Sequence, residues 1–328
     1  MRKRPFLAVL VCAFALAGAA SANPMDLTLS RLYDKGPSCD AALAGDPDPV
    51  TGRVRADQEA CADQAAFRNL SREFGLAIAP PLLAPAETLG YAGFYLGLEG
   101  VVTTINSGED FWVRGTEDSN PDGALFVASI HARKGLPFSF ELGTSVSYVS
   151  ATEQVLLGAD VRWALLEGYR TGWKAYFPDI AVRGAVNRLT GDDEMDLTVW
   201  SIDVALSHPF AISGMMTITP YGGYQFVQTI ADTSLVLNGK DRPPPETGTL
   251  IQCDGGSDYQ TNCIGGVNGP PDLHYLDFAR EYIDRHRLYV GVRFIYEHFS
   301  ATLQGAFTLD PADISSQQTF GASLGFDY

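Results

Sequence analysis

Beyond residue 22 the 328-residue sequence has no apolar run approaching the ~20 residues a membrane-crossing helix needs. Its richest stretch, residues 76–86, is interrupted by Pro80, Pro81 and Pro85. A helical membrane protein is therefore excluded. Basic residues are scarce as well, 23 Lys and Arg against 39 Asp and Glu, for a formal net charge of −16. A surface of that sign repels polyphosphates, so nucleic acid is excluded as a partner. Histidine is equally rare, with five in the chain. Ser207 and His208 are adjacent but point to opposite faces of a strand, and Asp192 and Asp193 have no histidine assigned beside them. No nucleophile–base pair or paired-acid site assembles, and the expectation is a non-enzyme without metal or cofactor. Gly90, Gly93, Gly97 and Gly100 lack the spacing and the following helix of a dinucleotide fingerprint.

The N-terminus carries an export signal. Arg2, Lys3 and Arg4 precede an apolar core over residues 6–19 and a small-x-small site at Ala20, Ser21 and Ala22. Residues 1–22 read as a signal peptide. The leader removes three basic residues and no acidic one, so the formal charge falls from −16 to −19. Cys39, Cys61, Cys253 and Cys263 remain, an even number in an exported chain, which reads as disulfides. Proximity favours Cys39–Cys61 and Cys253–Cys263, although three connectivities exist.

Residues 23–89 form a separate unit, periplasmic or plug-like. Asp57 is placed to cap a helix running to Phe74, with Gly75 as its stop. Ala60, Phe67, Leu70 and Phe74 make a stripe that could dock in a larger body's interior or on its rim. So few large apolar groups bury a poor core alone. The proline-rich stretch to Pro85 reads as a linker.

From residue 90 onward, period-two alternation dominates. Phe94, Leu96, Leu98 and Val102 share one face of a first strand, and nine comparable segments follow. The expected fold class is all-β: a closed antiparallel transmembrane barrel over residues 90–328. It should have about ten strands, with soft boundaries that admit eight or twelve. Such barrels satisfy every backbone group in lipid without helices. If both ends of the barrel segment lie in the periplasm, the long connections 106–123 and 231–284 both fall outside. The second of these holds nine acidic residues and Pro243, Pro244 and Pro245. It reads as a hydrophilic cap or a recognition loop. Asp254 and Asp258 fit no EF-hand spacing.

The final strand alternates Phe320, Ala322, Leu324, Phe326 and Tyr328 with small or polar residues, and the sequence stops on the aromatic. This pattern resembles the C-terminal strand of bacterial outer-membrane β-barrel proteins. The resemblance implies residence in the outer membrane of a Gram-negative cell, contact with its lipid, and an assembly machinery that reads Phe320, Leu324, Phe326 and Tyr328. It does not imply an activity.

Alternate positions on the same strands place Glu99, Arg133, Glu141, Asp160, Arg162, Asp179, Arg183, Asp203, Arg287, Arg293 and Glu297 inward. Two readings follow. Paired, these charges make a salt-bridge ladder that fills the bore. Opposed across water, they line a narrow conduit for small polar solutes or ions. The filled ladder is the expectation. The function classes left standing are a narrow channel or envelope component, a receptor or adhesin working through acidic loops, and, last, a hydrolase.

Overall fold

A computed structural model of the chain describes residues 25–32, 62–118, 120–150, 152, 154–168, 177–191, 194–212, 215–233, 236–237, 275–276, 278–309 and 317–328. The expected signal peptide, residues 1–22, and the five cysteines lie outside the described residues, and so does most of the 231–284 connection.

Ten strands form a closed antiparallel barrel: β1 (Phe94–Thr104), β2 (Ala124–Leu136), β3 (Phe140–Val149), β4 (Val155–Leu166), β5 (Asp179–Thr190), β6 (Met195–Ser207), β7 (Met216–Thr233), β8 (Glu281–Tyr296), β9 (Phe299–Thr308) and β10 (Gln318–Asp327). Each pairs with its sequence neighbour. The wall closes where β1 meets β10, from Tyr95↔Asp327 to Thr103↔Thr319. Closure removes the free edges that lipid cannot solvate. Phe94 and Tyr328 exchange two backbone hydrogen bonds of 2.8 Å, which pins the start of β1 beside the end of β10. This face of the barrel is called here the terminal end, and the opposite face the loop end.

Alternation sets the two faces of the wall. Leu98, Val146, Leu157, Val161, Val290, Leu303 and Leu324 point outward and are exposed, as a lipid-facing band requires. Aromatic residues gather toward both margins. Phe140 stacks on Trp163 toward the terminal end at 5.4 Å, and Trp200 meets Phe226 edge-on toward the loop end at 5.5 Å. Phe320, Leu324, Phe326 and Tyr328 all lie on this exposed face.

The preceding segment departs from its expected form. Helix α1 spans Gln64–Ala77, and its cap is Asp63, whose carboxylate accepts from the Ala66 N–H at 2.9 Å. Asp57, the expected cap, and Ala60 lie outside the described residues. Gly75 does not stop the helix. It is buried within it, because a Cβ there would strike the Thr229 side chain of β7. A second, short helix, α2 (Asp110–Gly115), sits in the connection between β1 and β2.

Candidate functional site

The bore is the candidate site, and the chain's own N-terminal segment occupies it. Phe67, Leu70 and Phe74 of α1 are fully buried. They pack in one cluster with Leu125, Val127, Val149, Leu156, Leu197 and Val227, which project inward from the loop-end half of the wall. The stripe too small for a core of its own completes its core with the barrel. A helix suits this place because it satisfies its own backbone hydrogen bonds.

Above the helix, α2 closes the loop end. Trp112 is buried, meets Phe74 edge-on, and donates its Nε1–H to Glu73 Oε2 at 2.7 Å; the Asn106 N–H reaches the same oxygen at 2.9 Å. Arg114 and Asp63 bridge α2 to α1 at 2.6 Å. Burial pushes the Asp63 carboxyl up, but the Arg114 guanidinium and the Ala66 N–H outweigh it and hold the group below its ordinary value. Residues 25–32 lie on the same end. Leu27 forms a β-bridge with Thr116, and the Thr28 N–H donates to the Gly115 carbonyl at 2.9 Å.

Below Ala77 the chain runs extended through the bore. Leu82, Leu83, Ala84 and Ala86 are buried, so the expected linker is part of the filling. Proline is apt here. A backbone crossing a bore has no ladder partner, and Pro80, Pro81 and Pro85 carry no N–H to satisfy. The carbonyls are met by the wall. Asn187 Nδ2 donates to the Ile78 carbonyl at 2.8 Å, Gln225 Nε2 to that of Pro80 at 3.0 Å, and Arg183 Nη1 to that of Pro81 at 2.7 Å. Farther down, the Ala86 N–H donates to Ser207 Oγ at 3.0 Å and the Leu89 N–H to Glu141 Oε2 at 3.1 Å. Ala164, Ala181, Ala205 and Ala306 keep the wall small around Leu82 and Ala86.

The inward charges are joined into a network. Glu141 Oε1 takes Arg133 at 3.2 Å and Arg162 at 3.3 Å. Asp160 takes Arg183 at 3.4 Å, and Arg183 reaches on to Asp203 at 3.7 Å. Arg293 pairs with Asp327, and Arg287 donates to the Gln225 side-chain carbonyl. Asp179 accepts from the Gly168 N–H at 3.0 Å at the terminal end, and Glu99 meets His131. Ten of the eleven expected residues are thus buried in the bore. Glu297 is a correction. It sits exposed at φ 53° in the two-residue turn with His298 between β8 and β9, where alternation no longer applies.

Other residues here escaped the sequence reading. His131 lies between Glu99 and Asp160, with Nδ1 and Nε2 each 2.9 Å from a carboxylate oxygen. Each of its ring nitrogens thus has a carboxylate oxygen within hydrogen-bonding reach, one on β1 and one on β4. Its alternation with Arg133 on β2 was the available signal. Tyr95, Tyr221 and Tyr289 are buried where glycines leave room: Tyr95 over Gly97 and Gly325, Tyr289 over Gly223, Tyr221 over Gly291. The Arg133 guanidinium lies 3.9 Å from the centre of the Tyr95 ring.

A cavity of about 10 Å³ beside Pro80, Pro81, Ser129, His131, Asp160 and Asn187 holds the centre of one water at most. Among the described residues no group of three or more His, Cys, Asp or Glu side chains could hold a metal. Ser207 is inward and engaged by the plug backbone, whereas His208 packs against Phe210 at 4.9 Å in the turn outside the bore.

No protein-family model matches the chain, and no curated protein matches its sequence. Among solved structures, the chain aligns with the N-terminal β-barrel domain of OprF from Pseudomonas aeruginosa at 9% identity, over 73% of this chain and 99% of that one, with a TM-score of 0.27. Omp33 of Acinetobacter baumannii gives 10% identity, 73% and 99% coverage and a TM-score of 0.27. The translocator domain of autotransporter NalP from Neisseria meningitidis gives 9%, 74% and 89%, and 0.35. At such scores these likenesses add nothing to the description of the barrel, which stands on its own strand pairing.

Proposed function

We propose that the chain is a sealed, non-enzymatic barrel of a Gram-negative outer membrane, an envelope component rather than an open channel. The observation that carries this reading is the occupied bore: α1 fills the loop-end half, and the stretch from Ile78 to Leu89 with the inward charges fills the rest. An ion crossing it would have to displace buried protein.

The export signal, the outward apolar band and the aromatic-ended last strand support the outer membrane as the place, with the loop end outside and the terminal end in the periplasm. The partners of this reading are membrane lipid and the barrel assembly machinery, engaged through Phe320, Leu324, Phe326 and Tyr328. Disulfides Cys39–Cys61 and Cys253–Cys263 belong to the same proposal, since the exported chain meets an oxidising compartment.

Conductance of the purified protein in planar bilayers tests it. The expected result is silence at moderate voltage. Steady ohmic current with reproducible unit steps would return the function to a channel.

A further inference from the structure

With ten antiparallel strands, β1 begins and β10 ends at the terminal end, so a segment preceding β1 would ordinarily stay on that side of the membrane. The path of this chain says otherwise. Phe94 sits at the terminal end, bonded to Tyr328. Leu89 touches Glu141 just inside that end. Pro81 touches Arg183 deep in the bore. Gln64, at the start of α1, bonds to the Ala279 carbonyl at 2.9 Å and to Glu281 at 2.7 Å, at the loop-end start of β8. The Asp63 N–H donates to the Leu32 carbonyl at 3.0 Å, and residues 25–32 lie across α2 and its flank. There the Leu29 N–H donates to Glu194 Oε2 at 2.7 Å, and Arg31 pairs with Glu117 at 3.7 Å, both side chains partly exposed.

The lengths agree with a full crossing. The 14 residues of α1 rise about 21 Å at ~1.5 Å each. The extended residues after it add up to ~3.3 Å each. Together they exceed the ~30 Å of a hydrocarbon core.

We propose that the chain is threaded through its own barrel and displays residues 25–32 on the outer surface of the cell. The barrel then anchors and presents that segment, beyond merely sealing a hole. The outward direction rests on the orientation given under the proposed function. The threading itself does not.

Thiol accessibility on intact cells separates the two. Arg31→Cys is compared with Glu117→Cys at the loop end and Glu297→Cys at the terminal end, using a membrane-impermeant maleimide before and after lysis. Labelling of the unsubstituted chain serves as the blank for its native cysteines. The expected result is equal labelling of Arg31→Cys and Glu117→Cys before and after lysis, and loss of Glu297→Cys labelling until the cells are lysed. If Glu117→Cys reacts on intact cells but Arg31→Cys only after lysis, threading is overturned and the orientation stands. If only Glu297→Cys reacts on intact cells, the orientation is wrong and surface display falls with it. Thr28→Cys repeats the comparison should Arg31→Cys fail to assemble.

Discussion

The loop-end half of the bore and the terminal-end half are lined by the same ten strands, yet they are filled by different physics. In the loop-end half, inward Leu125, Val127, Leu156 and Leu197 meet Phe67, Leu70 and Phe74, and the interior is a helix-on-wall core like that of a soluble protein. In the terminal-end half, inward Arg133, Glu141, Arg162 and Arg183 surround an extended, proline-punctuated chain. The difference follows from what each insert offers. A helix brings a side-chain-covered cylinder roughly 10 Å across with its backbone already satisfied. An extended chain is thin and presents bare carbonyls, so the wall must supply donors. Arginines and amides reach those carbonyls, and carboxylates then neutralise the arginines. Tyrosines lying over glycines take up the remaining volume.

If the terminal-end half is a closed charge network, removing its most shared acceptor should have the largest effect. Glu141→Ala leaves Arg133 and Arg162 buried without their common carboxylate, a loss of about 3–5 kcal/mol. Urea unfolding of the protein in vesicles measures it. A change near zero would mean that water solvates these arginines, and the two halves would no longer differ as described. Leu70→Ala probes the other half. It opens a cavity between α1 and α2, where Leu70 faces Gly115, and should cost about 2–5 kcal/mol. Added salt should leave the Leu70→Ala loss unaltered, and a salt-sensitive loss would contradict an apolar filling.

Gly325→Ala tests how the tyrosines are seated. A methyl there collides with the Tyr95 ring and should cost about 1–3 kcal/mol. The smallest effect is expected at the cap. Asp63→Ala removes the α1 N-cap, for about 0.5–2 kcal/mol. The folded Asp63 carboxyl lies below its unfolded value, so its contribution is complete at neutral pH and vanishes as acid carries the medium down through the folded value. The difference between the two proteins should therefore shrink in acid. A constant difference across the titration would remove the Arg114 contact from the account.

Much of this is legible in the sequence because a strand's period is two. Phe94, Leu96 and Leu98 announce the lipid face, and Glu99, Asp160 and Arg183 the inner one. The reading failed where that period ceases to govern. Glu297 was assigned by parity, but it belongs to a hairpin turn. The docking stripe of Phe67, Leu70 and Phe74 was legible as well, with interior and rim both open; what marks the interior is an interruption of the strand alternation. Leu125, Phe126 and Val127, and again Val155, Leu156 and Leu157, are consecutive apolar residues. They mark places where both faces of the wall are apolar, so the inner face needs an apolar cover. Gly75 read as a helix stop because glycine commonly ends helices, whereas here the backbone must approach Thr229. Nothing in local sequence distinguishes those uses.

The central claim is that α1 lies inside the barrel against β7. An ideal Cβ at Gly75 falls 3.0 Å from the Thr229 Cβ, so once Thr229→Cys removes the clashing branched side chain, a retreat of α1 by about half an ångström brings the pair into the ~3.5–4.5 Å range of a disulfide. The most direct measurement is therefore the Gly75→Cys/Thr229→Cys double variant, oxidised as assembled barrel and mapped by non-reducing peptide analysis. The account predicts a bond between positions 75 and 229 in the folded, heat-modifiable form. Free thiols at both positions in an otherwise normal barrel would place the helix elsewhere and contradict it.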